Sequence, residues 1–575
     1  MWCARTLVYV TMPTPKTRVW KLLILCGAVG SLFFFYRATN SLSVQLSPVI
    51  KQVSIVSQPS PKAGQMPGQT LEDSRSALTT TPGISRIERL QDKIRLTPVP
   101  LKQVLVHFDL KGAPPRADFY DTAFPLLRKL GATGVLMEYE DMFPYWGALK
   151  ALSAKNAYNR SELAHILSVA HKNKLKVVPL VQTFGHLEFA LKLHEFIELR
   201  ELSDSPQALC PSLNSSLGLV KAMLDQVLSL HPETEYVHIG CDEVYSLGRC
   251  PRCEERLQLP GTSRDTLFLD HVKSVAQHVV RAGVRPIMWD DMLRGMEPDS
   301  VRRWNASQLV DLMVWSYTPN ISKDLDAKIW DKYSQFGGVW VASAFKGATG
   351  AKQLLPDIGY HLKNHHSWLR ALEDHRQSWP LRGIALTGWQ RYDHFATLCE
   401  LFPASIPSLA ANLVYLQRGR LDTPELHSIK ALLGCNRPIP VFGRTDTHFL
   451  FCRFPGAKVL TGVQQLTGLL RQKQIMEKNS NYVGWLDSYN IRHSFGSPDH
   501  VRDATRNLSE LLGTANHLQR FLGDALSEVY DSYTVAEWMG TFLEPVLRQL
   551  NLLDQQTQDL LNINTWPRRP LETTN

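Results

Sequence analysis

The chain has 575 residues, of which 44% are hydrophobic and 20% are charged. This composition is typical of a globular protein with a sizeable core, and it excludes a fibrous or wholly disordered chain. The net charge of +9 does not indicate a nucleic-acid-binding protein, because residues 1–71 hold seven basic and no acidic side chains. Subtracting these seven leaves only +2 for the remaining chain.

The first predicted element is an apolar stretch over residues 22–36, LLILCGAVGSLFFFY, which Trp20 and Lys21 extend slightly. Residues 20–36 fall just short of the ~20 residues that comfortably span a bilayer. We predict that residues 1–37 are a cytosolic tail and an uncleaved signal-anchor, because basic residues precede the stretch. A cleaved signal peptide and an apolar leader that does not insert are the alternatives.

Residues 38–100 are rich in Ser, Pro, Thr and Gln and lack helical or strand periodicity. Such a segment buries too little apolar surface to order itself, so we predict a disordered stem. The anchor makes the chain a single-pass type II membrane protein with its folded part in the lumen, in the Golgi or elsewhere in the secretory pathway. Five Asn-x-Ser sequons favour this location, at Asn159, Asn214, Asn305, Asn320 and Asn507.

From Gln103 onwards, short apolar runs alternate with amphipathic helical stretches such as 161–174 and 217–230. Eight strands separated by helices predict an α/β fold, a (β/α)8 TIM barrel over residues 101–420. An open doubly wound sheet is the alternative, but no glycine-rich phosphate loop follows any strand. The predicted strands are 104–109, 134–139, 176–181, 235–240, 285–290, 311–317, 338–344 and 383–388.

Beyond residue 420 the strand pattern fades and apolar residues recur at i, i+3 and i+4. This spacing predicts a helical C-terminal region over residues 421–575, packed on the barrel.

Seven cysteines lie beyond the anchor in an odd, scattered set. Cys250 and Cys253 form a CxxC without a second matching pair, so we favour a local disulfide or two free thiols over a zinc site.

Polar and aromatic side chains gather at the predicted C-terminal ends of the strands, where barrel enzymes carry their active sites. Carboxylates among tryptophans, which stack on sugar rings, are typical of a carbohydrate site. We predict substrate contacts from Asp109, Lys111, His186, His238, Trp289, Trp315, Tyr317, Trp389, Arg391 and Asp393. Barrel core is the alternative for the tryptophans, and an interdomain salt bridge is the alternative for Arg391 and Asp393. We expect His186 and His238 to be hydrogen-bonding supports and not proton shuttles.

Asp242 and Glu243 are adjacent acids at the end of the fourth predicted strand, in the segment HIGCDEV. Neighbouring residues on a strand point to opposite faces, so both acids serve one pocket only where the strand ends. Gly240 relaxes the backbone just before that point. Two close carboxylates resist ionising together, which raises the pKa of one and leaves the other charged. We therefore predict that Glu243 and Asp242 are the catalytic pair.

Further along, His361, His365 and His366 have helical spacing, and we interpret them as a solvated helix face.

The segment HIGCDEV resembles the signature of the family 20 glycoside hydrolases, and PIMWDD (286–291) and Gly185-His186 agree with it. Five further segments look like the hexosaminidase D branch of that family: FDLKGAPP (108–115), EYEDMFPY (138–145), QTFGH (182–186), SAFKGATG (343–350) and TGWQRYDH (387–394). The resemblance covers residues 103–415 and implies a β-N-acetylhexosaminidase that removes terminal N-acetyl-galactosamine or N-acetyl-glucosamine from a glycan or glycoconjugate.

The resemblance also implies substrate-assisted retaining catalysis, in which the acetamido oxygen of the sugar attacks the anomeric carbon. Glu243 would protonate the leaving oxygen and later deprotonate water, and Asp242 would orient the acetamido N–H. We predict no metal and no cofactor. Members of the branch that lack an anchor are expected in cytoplasm and nucleus, which is the alternative location. We leave a homodimer open.

Three features depart from the wider family. Gln182 and Phe184 replace the usual Asp and Pro on strand three, and Lys111 stands near the place of the usual strand-one arginine. The α+β domain that normally precedes the barrel is replaced by the stem, and Tyr317 is one candidate for the tyrosine that contacts the acetamido oxygen.

The resemblance suggests galactosaminides as the first substrates that we expect. A catalytically inactive barrel that binds sugars or acts as a scaffold is the alternative function. A chitinase-like or O-GlcNAc-hydrolase-like enzyme is disfavoured, because those enzymes space their acids differently.

Overall fold

A computed structural model describes residues 100–375, 379–441 and 449–571. The predicted tail, the anchor at residues 20–36 and the stem lie outside the described residues. Within the described ranges, no helix combines the length and hydropathy that crossing a bilayer requires.

Ten strands are described. They are β1 (Gln103–Asp109), β2 (Gly134–Glu138), β3 (Lys176–Leu180), β4 (Arg200–Leu202), β5 (Ser205–Leu209), β6 (Tyr236–His238), β7 (Arg285–Trp289), β8 (Asp311–Trp315), β9 (Val339–Lys346) and β10 (Leu381–Gly388). Eight of them close into a parallel barrel in the order β1-β10-β9-β8-β7-β6-β3-β2, which confirms the predicted barrel and rules out the open sheet. The remaining two, β4 and β5, form an antiparallel hairpin between β3 and β6 that the sequence pattern did not reveal.

Alternation along each strand fills both faces of the barrel wall, because successive side chains on a strand point in opposite directions. In β1, Leu105 points into the barrel, while Val104 and Val106 pack outward against the helices. The interior is filled by ten buried side chains: Leu105, Leu136, Val178, Leu180, Ile287, Trp289, Met313, Trp340, Ala342 and Ala385. The barrel is therefore a packed core, with polar side chains toward its mouth and the Arg285–Asp311 ion pair at its other end.

Helices surround the barrel and continue beyond it. Those between the barrel strands are α1 (Tyr120–Lys129), α2 (Arg160–Lys172), α3 (Glu188–Leu191), α4 (Asn214–Leu230), α5 (Pro251–Leu257), α6 (Arg264–Arg281), α7 (Asp291–Arg294), α8 (Pro298–Trp304), α9 (Ala327–Tyr333) and α10 (Ile358–Asp374). Short 3-10 turns occur at Ala117–Phe119, Glu140–Met142, Gly147–Leu152, His194–Leu199, Ala306–Gln308 and Ile321–Lys323. The start of α2 follows from its sequence, since Asn159 and Glu162 form a reciprocal capping box there.

The chain after the last barrel strand is helical. Its helices are α11 (Phe402–Arg418), α12 (Thr423–Leu433), α13 (Ala457–Glu477), α14 (Ser480–Trp485), α15 (Ser488–Arg492), α16 (Pro498–Ala504), α17 (Leu508–Ser527), α18 (Ser532–Phe542) and α19 (Glu544–Leu561). This region contacts the mouth of the barrel, because the carbonyl of Val529 accepts a 2.7 Å hydrogen bond from the N–H of Arg116. A disulfide joins Cys435 to Cys452. The predicted domain boundaries stay predictions.

The interpretation of His361, His365 and His366 as a solvated helix face is wrong. His361 and His365 are fully buried between α10 and the barrel. The Nε2 atom of His365 lies 2.7 Å from Ser343 Oγ in β9, and the Nδ1 atom of His366 lies 2.9 Å from the hydroxyl of Tyr415. The helical spacing thus places His361 and His365 against the barrel wall, while His366 faces Tyr415 of α11.

Candidate active site

A cavity of about 270 Å³ opens at the C-terminal ends of the strands. Small-molecule sites typically measure about 300–1,000 Å³, so its size suits one small ring and not a long chain. Its lining consists of Lys111, Gln182, His186, Asp242, Glu243, Trp289, Trp315, Tyr317, Gly347, Ala348, Trp389 and Tyr392.

The adjacent acids Asp242 and Glu243 both line this cavity, as predicted. The chain leaves the strand after His238 and adopts positive φ angles at Gly240 (63°), Cys241 (73°) and Glu243 (52°). A positive φ at a residue with a side chain costs roughly 1–3 kcal/mol, which surrounding contacts must offset. This irregular backbone brings two neighbouring carboxylates to one side.

The loop that carries His186 packs directly beneath the acid pair. A Cβ atom on Gly185 would lie 2.3 Å from the carbonyl oxygen of Asp242 and 3.2 Å from Gln207 Nε2, so only glycine fits there. His186, like Glu243, has a positive φ (51°). The close approach of the two backbones sets the distance between the imidazole and the carboxylates.

His186 contacts both acids through one ring nitrogen, with its Nε2 atom 3.3 Å from Glu243 Oε2 and 3.6 Å from Asp242 Oδ2. Burial alone would lower the pKa of His186, but the Asp242 and Glu243 carboxylates outweigh it and raise that pKa to about 10. At neutral pH the free protein therefore carries an imidazolium here. The ring thus contacts both acids as a charged partner, whereas the sequence predicted a hydrogen-bonding support and stated no charge.

The acids divide their charge states in an unexpected way. Burial raises the pKa of Asp242 to about 7, although the charge of His186 opposes the shift. The hydrogen bond from His186 is the main reason why the pKa of Glu243 is lowered. One pKa is raised and the other is not, as predicted, but Glu243 is the ionised member in the free protein.

One oxygen of Asp242 has no partner. Asp242 is only 7% exposed, and its Oδ1 atom has no hydrogen-bond partner among the described residues. A buried acceptor without a donor is costly, typically by about 1–3 kcal/mol. Asp242 lines the cavity, so an N–H or O–H donor on a bound molecule would supply the missing hydrogen bond.

Asp291 supports the acid pair through a hydrogen bond to its backbone. Its Oδ2 atom accepts a 2.9 Å hydrogen bond from the backbone N–H of Glu243, and Trp315 Nε1 donates to its Oδ1 atom at 3.3 Å. Burial raises the pKa of Asp291 to about 6. The next carboxylate, Asp290, forms a two-bond pair with Arg294 at 2.8 and 2.9 Å. The Trp-Asp-Asp segment thus positions the acid pair and the indole of Trp315.

Lys111 supplies a buried positive charge at the opposite side of the cavity. Its Nζ atom lies 3.1 Å from both Asp109 Oδ1 and Glu138 Oε1, and 3.8 Å from Glu140 Oε1. Burial opposes the charge, but these three carboxylates outweigh it and hold the pKa of Lys111 well above its ordinary value. Burial likewise opposes the charge of Glu138, yet Lys111 and His107 lower the pKa of that carboxyl.

Five tryptophan and tyrosine rings line the cavity, the fifth being that of Tyr392. Trp315 and Tyr317 are stacked with centroids 5.2 Å apart, and Trp389 lies 6.1 Å from Trp289 and 6.5 Å from Tyr317. Trp289 also belongs to the barrel core, so both interpretations of this residue apply. Its Nε1 atom has no partner among the described residues. These rings supply the apolar faces that sugar recognition uses.

Four predicted contact residues do not line the cavity: Asp109, His238, Arg391 and Asp393. Asp109 pairs with Lys111, and the ring of His238 lies 4.4 Å from that of Trp289. Arg391 instead makes two hydrogen bonds to Glu537 in α18, at 2.5 and 2.6 Å, which agrees with the salt bridge considered as the alternative. Asp393 accepts backbone N–H groups of its own loop.

Sequence reasoning left out four lining residues, Gln182, Gly347, Ala348 and Tyr392, from the predicted contacts. Each lies in a segment that carries the family resemblance, so the signal was present. Gln182 occupies the place of the missing Asp and donates a 3.2 Å hydrogen bond to Glu138 Oε1.

Two clusters of side chains in the described part of the chain have donor atoms close enough to share a metal ion. One lies beside the cavity and consists of Glu140, Asp141 and His394. Its members already pair with one another, since His394 Nδ1 lies 3.1 Å from Glu140 Oε2 and Nε2 lies 3.7 Å from Asp141 Oδ2. The other cluster lies outside the cavity.

A larger cavity of about 730 Å³ lies at the other end of the barrel. Lys176 and Tyr236, which begin β3 and β6, form part of its wall. Neither Asp242 nor Glu243 lies there, and barrel enzymes use the opposite end, so the smaller cavity is the candidate active site.

Comparison with known proteins identifies relatives of this chain. The model of the catalytic domain of glycosyl hydrolase family 20 matches residues 120–328. Human hexosaminidase D is 41% identical over 478 residues, which cover 82% of this chain and 97% of the relative. Hexosaminidase D of Bos taurus is 49% identical over 320 residues, covering 55% and 92% of the two chains. The solved β-N-acetylhexosaminidase from Bacteroides fragilis is 16% identical, with a TM-score of 0.42 over 58% of this chain and 70% of its own.

Proposed function

This chain belongs to glycosyl hydrolase family 20, and from that premise we propose that it is a β-N-acetylhexosaminidase. It removes terminal non-reducing N-acetyl-galactosamine or N-acetyl-glucosamine from a glycan or glycoconjugate. The observation that carries the proposal is the free, buried Oδ1 atom of Asp242 in the same cavity as the Glu243 carboxylate. An acetamido N–H is the donor that this oxygen lacks.

The proposed reaction begins with the sugar's own acetamido oxygen, which attacks the anomeric carbon as the glycosidic C–O bond breaks. Glu243 gives its proton to the leaving oxygen, and Asp242 accepts the acetamido N–H and stabilises the positive charge of the oxazolinium ion. Water then attacks the anomeric carbon and returns a proton to Glu243, so configuration is retained. The intramolecular nucleophile provides a high effective concentration without a nucleophilic side chain from the protein.

The charge states of the free protein are compatible with these reaction steps if a proton moves from His186 to Glu243 when substrate binds. In the free state the proton lies on His186, whose Nε2 atom is 3.3 Å from Glu243 Oε2. A bound sugar covers the half-exposed Glu243 and removes water from it, which raises the pKa of a carboxyl group. The proton then passes from His186 to Glu243, where the leaving oxygen needs it.

Glu243→Gln tests the proposal with 4-nitrophenyl β-N-acetyl-galactosaminide, the matching glucosaminide and a disaccharide with a poor leaving group. General-acid catalysis contributes about 10²–10⁴ in rate, so the disaccharide should lose at least that factor and the activated aryl substrates less. The exposed Glu195→Gln is the matched control and should keep full activity. Full activity of Glu243→Gln on the disaccharide contradicts the mechanism. Absence of turnover by the unmodified protein on all three substrates supports the inactive sugar-binding barrel instead.

We also propose that the protein is a type II membrane protein of the secretory pathway, anchored by residues 20–36. Two observations support a lumenal location. All five sequon asparagines are exposed at the surface, and a disulfide joins Cys435 to Cys452, a bond typical of oxidising compartments. Treatment of the cell-expressed protein with an N-glycosidase should increase its mobility on a gel, and an unchanged band contradicts a lumenal chain. A homodimer stays a prediction for sedimentation to measure.

A further inference from the structure

Outside the active-site cavity, four buried side chains bring one donor atom each to a common point. They come from two stretches of chain: Glu201 in β4 and Cys210 just after β5, and Cys250 and Cys253 at the start of α5. All four donor atoms lie within 4.8 Å of one another, and all four residues are buried. The CxxC pair thus gains two partners from the hairpin segment, at least 40 residues earlier in the chain.

The separations suit a tetrahedral ion. Cys210 Sγ lies 3.3 Å from Cys250 Sγ and 3.7 Å from Cys253 Sγ, and Cys253 Sγ lies 3.3 Å from Glu201 Oε2. Zn²⁺ binds thiolate sulfur at about 2.3 Å, which places the sulfurs of a tetrahedral site about 3.8 Å apart. An ion at the centre requires the sulfurs to move apart only slightly.

The carboxylate of Glu201 is oriented as a ligand. Its Oε1 atom accepts hydrogen bonds from the backbone N–H groups of Arg249 at 2.7 Å and Cys250 at 3.1 Å, which turns Oε2 toward the sulfurs. Its partners are therefore two N–H groups and a thiol, none of which carries a full positive charge. A buried carboxylate without a cation is costly, and a divalent ion at this point supplies the missing charge. Outer hydrogen bonds of this kind fix metal-ligating carboxylates.

We propose that Glu201, Cys210, Cys250 and Cys253 form a closed structural zinc site. Three thiolates and one carboxylate in tetrahedral arrangement select zinc over harder cations such as Mg²⁺ and Ca²⁺. Binding requires each thiol to lose its proton, so three protons leave as the ion enters. A disulfide between Cys210 and Cys250 is the competing state, but it leaves the buried Glu201 carboxylate without a positively charged partner.

The site joins the two segments that frame the catalytic acids. Gln207, in β5, donates a 3.0 Å hydrogen bond from Nε2 to the carbonyl oxygen of Glu243. The N–H of Leu209 donates to the carbonyl of Phe184 at 3.2 Å, which ties the hairpin to the loop that carries His186. The ion would hold the hairpin against the chain that follows Glu243, and so it would stabilise the positive-φ backbone of the acid pair.

The test is metal analysis of the untagged full-length protein, purified without chelators. We expect one zinc ion per chain by mass spectrometry, and X-ray absorption with three sulfur ligands at about 2.3 Å and one oxygen at about 2.0–2.2 Å. Cys210→Ser and Cys253→Ser should each lose most of the zinc, whereas Cys399→Ser, a buried free cysteine outside the cluster, should keep it. A metal-free protein in which all three thiols react, or a peptide map with a Cys210–Cys250 disulfide, overturns the proposal.

Two further measurements keep the proposal testable if the serine variants fail to fold. Exchange of zinc for Co²⁺ in the unmodified protein should produce thiolate-to-cobalt charge-transfer absorption, and its absence argues against a thiolate site. Glu201→Gln keeps the side-chain shape but removes its charge, and it should weaken zinc binding by about 10–100-fold in a competitive chelator titration. An affinity equal to that of the unmodified protein contradicts ligation by Glu201. None of these readouts depends on turnover, so they stand or fall separately from the proposed hydrolase activity.

Discussion

The Nε2 atom of His186 lies 3.3 Å from the Oε2 atom of Glu243, on side chains that come from loops after two different barrel strands. This contact places the His186 ring beside the proposed general acid, with Asp242 Oδ2 3.6 Å from the same nitrogen. Because the pKa of His186 is raised to about 10, the proposed mechanism has its proton on the histidine before substrate arrives. Three of the predictions below follow from the charges of this cavity.

His186→Gln should move the acid limb of the pH–rate profile. Asp242 must be ionised to hold the acetamido group, and its pKa in the free protein is about 7, so kcat/KM should rise as pH increases through about 7. The imidazolium lowers that pKa, and glutamine has no charge, so the limb should shift to higher pH and the maximum should fall. The exposed His194→Gln is the control and should reproduce the unmodified profile. A limb that stays at its original pH in His186→Gln contradicts this account.

The same substitution should change the pH dependence of stability. The pKa of His186 is raised from 6.5 to about 10 in the folded protein, against burial, by Asp242 and Glu243. The stability that its charge contributes is fully present below pH 6.5 and is lost as pH rises toward 10. The difference in Tm between the unmodified protein and His186→Gln should therefore be largest near pH 6 and shrink toward pH 10. A difference that grows with pH would contradict the raised pKa.

Gly185→Ala should impair catalysis through the backbone. The new Cβ atom would lie 2.3 Å from the carbonyl oxygen of Asp242, so one of the two loops must shift. Displacement of a catalytic group by about 1 Å can cost 10²-fold in rate, and we expect a loss of that order in kcat with the fold retained. Gly218→Ala is the matched control, because its Cβ atom meets nothing within 4 Å inside helix α4. That variant should keep full activity and gain about 0.5–1 kcal/mol of stability.

Lys111→Met should destabilise the folded protein. The ammonium lies 3.1 Å from both Asp109 and Glu138, and its removal leaves two buried carboxylates without their cation. Breaking a buried ion pair typically costs about 3–5 kcal/mol, which urea unfolding at pH 7 would measure. The exposed Lys155→Met should change the free energy of unfolding by no more than about 0.5 kcal/mol.

The pH dependence of Lys111→Met provides a second check. Burial opposes ionisation of Glu138, yet Lys111 holds the pKa of this carboxyl below its ordinary value of 4.5. The contribution of the pair is therefore present above pH 4.5 and is lost only as pH falls below it. The cost of Lys111→Met should accordingly be smaller in acid than at pH 7. An equal cost at both pH values contradicts an ion pair.

Arg391→Lys should lower Tm while leaving KM close to its original value. Arg391 binds Glu537 of α18 through two hydrogen bonds, at 2.5 and 2.6 Å, and the single ammonium of lysine cannot reproduce that geometry. We expect a loss of about 1–3 kcal/mol in the free energy of unfolding. Glu537→Gln should give a similar loss. An Arg391→Lys variant with unchanged Tm and a raised KM would instead indicate that Arg391 contacts the sugar, as the sequence predicted.

The barrel was predictable because its signal is short-range. Each strand was visible as an apolar run bounded by turns, and the observed strands start and end within a few residues of those predictions. The same reasoning placed Asp242 and Glu243, since two adjacent acids at the C-terminal end of a barrel strand lie at the mouth of the barrel. The β4–β5 hairpin was not predicted, because strands of three and five residues are too short to show a clear alternation of apolar and polar residues.

The side chains around the acids were less predictable, because a residue at a strand end can turn into the cavity or away from it. Trp315, Tyr317 and Trp389 turn inward, whereas Arg391 turns outward to a helix that begins more than 130 residues later in the chain. Likewise, the spacing of His361 and His365 is the same for a solvated face and for a face packed on a barrel. Only the position of α10 against β9 settles which one applies.

The sequence by itself determined the strand order, the place of the acid pair and the family, since these follow from residues close together along the chain. The tertiary structure alone decided that Glu243 is the ionised acid, that Arg391 pairs with a residue 146 positions away, and that Cys210 meets Cys250 across 40 positions. The physical reason is that periodicity reports which face of a segment is buried. Charge states and ligand sets depend on which distant segment covers that face.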